Sequence, residues 1–137
     1  MATTSKNAVY IEGIGRRKTA TARVRLTPAK ETTITVNNRP LAEYFKHAAL
    51  QQNLEAVLNT KDAGIENYTI TAKVMGGGIS AQSDAIKLGI ARALVEEKAD
   101  RRTSLKKEGY LKRDPRSVER KKFGLRKARK RPAWSKR

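Results

Sequence analysis

The spacing of hydrophobic positions changes several times along this chain, and each spacing predicts an element. Residues 19–26 alternate between apolar and polar side chains, which is the period of a half-buried β-strand. One face of this strand would carry four apolar residues, Ala20, Ala22, Val24 and Leu26. The opposite face carries Arg23 and Arg25, so the strand is expected to present two cations away from the core.

Three further segments have the character of strands. Residues 8–12 form a short apolar run that Gly13 and Gly15 are expected to stop. Residues 32–36 are rich in β-branched side chains, and we expect them to form a hairpin with residues 19–26. Residues 65–75 alternate again, and this strand is expected to be the longest. One face of it collects Tyr68, Ile70, Ala72 and Val74.

Helical spacing occurs on both sides of that last strand. Residues 41–59 predict a short helix followed by a second one, whose apolar positions are Leu50, Leu54, Val57 and Leu58. A longer helix is expected from Ser80, as its N-cap, to about Ala99, with Asp84 in its first turn. Its buried stripe would be Ile86, Ile90, Ala93 and Leu94. Residues 102–111 predict a further short helix, with Leu105 as its main apolar contact.

The order β-β-β-α-α-β-α predicts an α+β fold, with helices packed on one face of a small sheet of about four strands. A strand–helix–strand crossover would join the third strand to the fourth. Because only 38% of the residues are apolar and 5% aromatic, the core is expected to be small.

Composition excludes several classes of protein. The chain has no cysteine, so disulfides, thiolate metal sites and iron–sulfur clusters are excluded. No apolar run approaches the roughly 20 residues of a membrane helix, and the first residues lack the features of a secretory signal. His47 is the only histidine and has no ligand-spaced neighbours, so a metal site or catalytic dyad is not expected. We therefore expect no enzyme activity, cofactor, small-molecule substrate or membrane partner.

Charge divides the chain into two regions. The whole chain carries 31 basic and 13 acidic side chains, a net charge of +18. Residues 1–100 hold 14 basic and 10 acidic side chains, whereas residues 101–137 hold 17 basic and 3 acidic ones. We therefore expect a globular domain, residues 1–100, and a basic tail, residues 101–137, with the boundary between residues 100 and 109. The basic tail has too few apolar residues to fold alone. Such an excess of positive charge indicates a polyanionic partner, in the first place nucleic acid.

The stretch at residues 13–19 resembles a Walker A loop only in its final Lys-Thr. That loop needs glycine where this chain has Arg17, directly before Lys18, and where it has Glu12. It also opens a helix, whereas this stretch leads into a strand. The favoured interpretation is a turn that presents Arg16, Arg17 and Lys18 to RNA phosphates, and the alternative is a solvated basic turn.

The glycines at residues 76–78 have two interpretations. They precede a helix N-terminus, where backbone N–H groups can hold an anion such as an RNA phosphate. Alternatively, they form a turn that lets the strand and the helix pack closely. The spacing of a dinucleotide-binding loop is absent, so a nucleotide site is not expected here.

The basic tail carries the strongest functional signal. Ten basic residues and no acidic residue lie between Arg120 and Arg137. Lysine and arginine neutralise phosphates with release of counterions, and arginine also stacks on bases, as do aromatic residues such as Phe123 and Trp134. A localisation signal, a membrane-surface segment and a merely solvated charge run are alternatives. With Arg23 and Arg25, the candidate phosphate-binding residues are Arg116, Arg120, Lys121, Lys122, Arg126, Lys127, Arg129, Lys130 and Arg131.

Three blocks of sequence also resemble one known family. The first is residues 13–26 (GIGRRKTATARVRL), the second is residues 76–80 (GGGIS) with 89–94 (GIARAL), and the third is residues 114–124 (DPRSVERKKFG) and onward to Ser135-Lys136-Arg137. Together they are similar to the family of the ninth protein of the small ribosomal subunit, in its bacterial or organellar form. Trp134 departs from the family pattern, because a smaller aromatic residue is usual there.

The resemblance implies a structural role in the ribosome and a more specific fold. It implies a left-handed βαβ crossover, and a domain packed on the small-subunit rRNA of the head, beside neighbouring proteins. It implies that the basic tail runs towards the tRNA in the peptidyl site, with Ser135, Lys136 and Arg137 facing that tRNA. The location would be the cytoplasmic ribosome of a bacterium, or else a plastid or mitochondrial ribosome. A nucleic-acid chaperone, a DNA-compacting protein and a nucleotide-hydrolysing enzyme are the alternatives.

Overall fold

The structure, a computed structural model, describes residues 10–61 and 64–136. It contains five strands: β1 (Ile11–Arg17), β2 (Ala20–Pro28), β3 (Thr33–Val36), β4 (Arg39–Pro40) and β5 (Tyr68–Met75). It also contains four helices: α1 (Leu41–Tyr44), α2 (Ala48–Leu58), α3 (Ile79–Glu97) and α4 (Arg101–Lys107).

The strands form one mixed sheet in the order β1-β2-β5-β3-β4. β2 pairs antiparallel with β1 on one side and with β5 on the other, where the register runs from Thr21 opposite Met75 to Pro28 opposite Tyr68. The expected hairpin between residues 19–26 and 32–36 is therefore wrong, because β5 pairs along almost the whole of β2 and separates it from β3. β2, with nine residues, is also longer than the eight-residue β5.

The expected crossover is present between β3 and β5. These strands pair in parallel, with Thr33 opposite Thr69 and Val36 opposite Ala72, and α1 and α2 lie between them in the chain. The short β4 returns antiparallel beside β3 after a turn at Asn37-Asn38, both of which adopt positive φ angles. This β4 is the strand that the hydrophobic pattern did not predict.

β1 continues through the two glycines that were expected to stop a strand. A Cβ atom on Gly13 would lie 2.2 Å from the Gly89 carbonyl oxygen, and one on Gly15 would lie 1.8 Å from the Ala85 carbonyl oxygen. The glycines are needed because the backbone of α3 packs directly on β1. The beginning of the predicted strand, residues 8 and 9, lies outside the described residues.

The core lies between the sheet and the helices, on one face of the sheet. The alternating residues of β2 and β5 are buried there, together with the predicted stripe of α3. The α+β architecture with helices on one face is thereby confirmed. α3 begins at Ile79, earlier than expected, because the Gly78 carbonyl already accepts a hydrogen bond from the Gln82 N–H at 2.9 Å. Asp84 consequently lies beyond the first turn.

α4 is attached to the core by a buried arginine. Arg101 is only 3% exposed, and it donates to the Glu97 carboxylate, to the Tyr68 hydroxyl at 3.2 Å and to the Gly64 carbonyl at 3.0 Å. The Tyr68 hydroxyl also donates to Glu97 at 2.5 Å, and burial, followed by this bond, raises the pKa of Tyr68. Leu105, which is part of α4, is fully buried. This helix therefore packs on the domain, although by sequence it belongs to the basic tail.

Beyond Lys107 the chain contains no further helix or strand up to residue 136. A turn over residues 123–129 is closed by the Arg126 N–H, which donates to the Lys130 carbonyl at 2.7 Å. Within residues 10–61 and 64–136, no helix is long and apolar enough to cross a membrane.

Candidate nucleic-acid interface

The turn between β1 and β2 exposes two of its three predicted cations. Arg17 pairs with Ala20 across the hairpin, so Lys18 and Thr19 form a two-residue turn in which Lys18 has a φ angle of +51°. Arg16 and Lys18 are exposed, and no acidic side chain of the described residues lies within 4 Å of their charged groups. This turn therefore presents two available cations to a polyanion.

Arg17 points the other way, because successive residues of a strand face opposite sides. Its side chain is only 12% exposed, and its guanidinium lies 3.0 Å from Asp114 and 3.6 Å from Asp84. It also donates to the carbonyl of Arg116. The predicted cluster is thus divided: Arg16 and Lys18 face solvent, whereas Arg17 binds protein groups of α3 and of the basic tail.

The outer face of the sheet carries the two predicted strand arginines, and both are engaged by Glu12. Arg23 donates to this carboxylate at 2.5 Å and Arg25 at 3.1 Å. The hydrogen bond from Arg23 is the main reason that the pKa of Glu12 lies below its usual value. Arg25 also lies over the ring of Tyr10, 4.4 Å from its centroid. One carboxylate therefore offsets part of the positive charge of this face.

Lys73 adds a cation to the same face that we did not identify from the sequence. It is exposed on β5, directly opposite Arg23 in the sheet register. The alternation of residues 65–75 contains the signal, because the residues between the buried Ala72 and Val74 must face outward. Among the residues that the structure describes, the outer face of β1, β2 and β5 thus combines Arg23, Arg25 and Lys73 with the opposing charge of Glu12.

Two of the three glycines before α3, Gly76 and Gly77, pack against the basic turn and the start of β2. Gly76 and Gly77 adopt positive φ angles of +72° and +67°. A Cβ atom on Gly76 would lie 2.7 Å from the Thr19 carbonyl oxygen, and one on Gly77 would lie 2.8 Å from the Cβ of Ala20. Of the two interpretations of this segment, close packing therefore has a direct structural basis.

A small basic cleft lies between the β1–β2 turn, α3 and the start of the extended chain. Its volume is about 140 Å³, and the charged residues that line it are Arg16, Arg17, Asp84, Lys87, Arg113 and Asp114, together with Lys112. Lys87, Lys112 and Arg113 were not among the predicted site residues. Of these three, only Lys87 could have been linked to the site from the sequence, because it follows Asp84 by three residues, about one helical turn. Its Nζ lies 3.7 Å from the Asp84 carboxylate.

Acidic residues engage three of the predicted cations in the basic tail. Asp114 accepts hydrogen bonds from the Arg116 N–H at 2.9 Å and from its guanidinium at 2.8 Å, and these bonds hold the pKa of Asp114 well below its usual range. Glu119 binds Lys122 at 2.5 Å and Arg129 at 2.9 Å, and its pKa is lowered for the same reason.

The other predicted cations of the tail have no acidic partner within 4 Å among the described residues. They are Arg120, Lys121, Arg126, Lys127, Lys130 and Arg131, and all six are exposed. Phe123 is 96% exposed and Trp134 is 84% exposed in the same segment. Ser135 and Lys136 are exposed at the end of the described chain, whereas Arg137 lies outside the described residues.

The described residues contain no group of three or more histidine, cysteine, aspartate or glutamate side chains that could hold a metal ion. The predicted site consists of cations, backbone amides and exposed aromatic rings, and such groups bind phosphates and stack on bases.

The family model for ribosomal protein S9/S16 matches residues 15–137 of this chain. The chain belongs to the ribosomal protein S9 family. The match includes the basic turn, α3 and the entire basic tail, so both halves of the interface lie within the family region. As a member of the S9 family, the chain is a structural component of the small ribosomal subunit that takes part in translation, and not an enzyme.

The chain is also similar to curated cyanobacterial proteins over nearly its full length. It is 54% identical to the small ribosomal subunit protein uS9 of Synechococcus sp. (strain JA-3-3Ab), over 99% of this chain and 98% of the relative. It is 51% identical to that of Gloeothece citriformis, over the same shares. It is 52% identical to that of Parasynechococcus marenigrum, over 97% of this chain and 99% of the relative. These relatives support an S9 protein of the bacterial type, located in the cytoplasmic ribosome.

Proposed function

We propose that this S9 protein binds small-subunit rRNA through both of its regions, and that the tip of its basic tail contacts tRNA in the peptidyl site. The observation that supports this most strongly is the distribution of cations without acidic partners. Six of them lie between Arg120 and Arg131, interspersed with Lys122 and Arg129, and exposed aromatic rings lie in the same segment. Neighbouring proteins of the subunit head would complete the environment of the domain.

The domain, residues 1–100, would act as the anchor. Arg16 and Lys18 project from one end of the sheet, and Arg23, Arg25 and Lys73 lie on its outer face. Four of these cations lie on paired strands and Lys18 lies in the tight turn between β1 and β2, so they fit the fixed shape of a folded RNA backbone. The residues of the anchor would position the protein on the RNA without reading its sequence.

The basic tail, residues 101–137, would act as the probe. Beyond α4 it contains no regular element up to residue 136, and a chain extends by at most about 3.3–3.6 Å per residue. The 25 residues from 112 to 136 would therefore span at most about 80 Å if the turn over residues 123–129 opened, which is far beyond a domain of this size. A cationic chain of this length repels itself in isolation and can pass between RNA backbones that would otherwise repel each other.

Phe123 and Trp134 would add contacts with bases to those with phosphates. Their rings are exposed, and nothing in the described part of the chain packs on them as an aromatic partner. Stacking of a base on an aromatic ring contributes about 1–3 kcal/mol and tolerates any base. The two rings flank Arg126, Lys127, Lys130 and Arg131 in the sequence, and they would hold the tail at a defined depth in the RNA.

The tip of the tail, Ser135, Lys136 and Arg137, would hold the anticodon arm of the tRNA electrostatically. The direct test is to remove residues 135–137 and to reconstitute small subunits with the shortened chain. We expect normal assembly and a faster dissociation of tRNA from the peptidyl site. The matched control is Lys106→Gln with Lys107→Gln, which removes the same number of positive charges from α4. An unchanged dissociation rate would refute the role of the tip.

The binding of rRNA needs its own test, because it does not depend on the tip. The full chain should sediment with small subunits in low-salt gradients and should be released by ribonuclease. A chain that lacks residues 120–137 should assemble poorly, since it loses all six cations without acidic partners. A chain that sediments apart from ribosomes would instead favour a nucleic-acid chaperone.

A further inference from the structure

The start of the extended chain is tied to the domain by a cluster of charged groups, which we call the Arg17 clasp: Arg17, Asp84, Asp114 and Arg116. Arg17 lies at the end of β1, Asp84 lies on α3, and the other two follow α4. The guanidinium of Arg17 lies 3.6 Å from Asp84 and 3.0 Å from Asp114, and it donates to the carbonyl of Arg116. One side chain thus joins a strand, a helix and the tail.

Both carboxylates of the clasp are held in place by other groups. One oxygen of Asp84 accepts from the Asn53 amide at 3.0 Å, which leaves its other oxygen for Arg17. Asp114 accepts the backbone N–H of Arg116 at Oδ1 and the guanidinium of Arg116 at Oδ2, and the guanidinium of Arg17 also lies beside Oδ2. Because its partners are already oriented, the planar fork of Arg17 loses little freedom when it binds them.

The clasp acts at a point where the backbone is stiff. Pro115 follows Asp114 directly, and its ring fixes its own φ angle and restricts the residue before it. The contact between Arg17 and the Arg116 carbonyl then holds the next peptide group. The direction of residues 114–116 is therefore set on both sides of the proline.

We propose that Arg17 is a positioning residue, which fixes the direction in which the basic tail leaves the domain. The proposal rests on the proposed function, since the direction of the tail matters because the tail binds RNA. It assigns Arg17 to contacts within the protein, whereas its neighbours Arg16 and Lys18 stay available for phosphates. A tail with a fixed origin samples fewer directions before it meets its RNA, and such preorganisation favours binding.

The first test measures the direction of the tail without any RNA. Because the chain has no cysteine, Gln52→Cys on α2 and Ser117→Cys in the tail can carry two spin labels, and both positions are exposed. Double electron–electron resonance on the doubly labelled full chain should give a narrow distribution of the distance between the two labels. Arg17→Gln and Asp114→Asn should each broaden it about twofold, while Asp100→Asn should not, because Asp100 lies outside the clasp. Equally narrow distributions in all variants would overturn the proposal.

The second test uses the sign of the effect on rRNA affinity. Asp114→Asn removes a negative charge, so electrostatics alone would strengthen binding to RNA. Loss of the clasp should instead weaken it, on the order of threefold. Asp100→Asn, with the same change in charge, should bind slightly more tightly than the parent. If Asp114→Asn also bound more tightly, Arg17 would not position the tail.

The two tests separate this proposal from the function on which it rests. The spin-label measurement contains no RNA, so it reports on the clasp even if the chain fails to bind rRNA. Should Arg17→Gln unfold the domain, Asp114→Asn still breaks the clasp from the tail side, where Asp114 forms ion pairs with Arg17 and Arg116. If a clasp variant gave a broadened distribution of spin-label distances but bound rRNA with the affinity of the parent, the clasp would not contribute to rRNA binding. That result would overturn the positioning role.

Discussion

The cations of the folded region and those of the tail beyond Glu119 are held in different ways. In the folded region, Arg101 is buried against Glu97, Arg17 binds two carboxylates, and Glu12 engages Arg23 and Arg25. In the tail, a run of cations has no acidic partner among the described residues. The comparison teaches that the number of basic residues overstates the number available to phosphates. Substitution of the buried Arg101 should therefore act on stability, whereas substitution of the exposed tail cations should act on RNA binding.

The strongest way to sharpen this comparison is Arg101→Met. It leaves the Glu97 carboxylate and the Tyr68 hydroxyl without their buried partner. Removal of one partner from a buried pair costs about 3–5 kcal/mol, so we expect the free energy of unfolding to fall by that amount. Urea denaturation of the full chain measures it. Arg102→Met, at an exposed neighbouring position, is the control, and an equal loss in both variants would contradict a buried structural role.

Gly15→Ala should have the next largest effect on stability. The added methyl group would lie 1.8 Å from the Ala85 carbonyl oxygen, so β1 and α3 would have to move apart. Overpacking of this kind costs about 1–3 kcal/mol, and sometimes more. Gly78→Ala is the control, since a Cβ atom there meets no atom within 4 Å. Thermal unfolding of both variants decides the point, and parental stability of Gly15→Ala would show that the helix does not need the glycine.

Glu12→Gln should have a small effect on stability and a positive one on RNA binding. It releases Arg23 and Arg25 from their shared carboxylate. The plot of log affinity for rRNA against log salt concentration should therefore become steeper, by the amount expected for about one additional phosphate contact. Since the pKa of Glu12 is lowered in the folded protein, the ion pairs stabilise it at neutral pH, and this contribution is lost as the pH falls through the lowered value. Glu31→Gln, an exposed loop position, is the control. Weaker binding by Glu12→Gln would contradict the neutralising role of Glu12.

The smallest effect on stability is expected in the tail. A fourfold variant, with Arg126, Lys127, Lys130 and Arg131 all replaced by Gln, should unfold within about 0.5 kcal/mol of the parent, as is usual for surface substitutions. Its affinity for rRNA should nevertheless fall strongly. A large loss of stability in this variant would remove the distinction between the two regions.

Hydrophobic periodicity in the sequence was sufficient to predict β2, β5 and α3, because each has one buried face over many residues. It failed at β1, because Gly13 and Gly15 do not end the strand. Instead, their lack of a side chain lets the backbone of α3 pack directly on β1. It also failed at the hairpin, since alternation shows which residues share a face and not which strand lies beside another. Local patterns describe faces, whereas pairing is decided by the whole sheet.

The candidate site shows the same limit. The sequence identified the cations correctly as a class, and the exposed tail carries most of them. It did not show that Arg17 binds Asp114, because these residues lie far apart in the chain and meet only after β1, α3 and α4 have packed. Lys112 was missed because a single lysine in a mixed pattern carries no signal before the fold is known, whereas the alternation of residues 65–75 already placed Lys73 on the outward face of its strand.

The most direct test of the central claim is the salt dependence of rRNA binding, measured for the full chain and for two variants. The logarithm of the affinity falls with that of the salt concentration, with a slope of about 0.7–0.9 per neutralised phosphate. We expect the fourfold tail variant to lose about 3 units of slope, and Arg23→Gln with Arg25→Gln to lose less per charge removed, since Glu12 already engages both. An unchanged slope in the tail variant, or an equal loss per charge in both, would contradict the claim that the unpaired cations of the tail make the principal phosphate contacts.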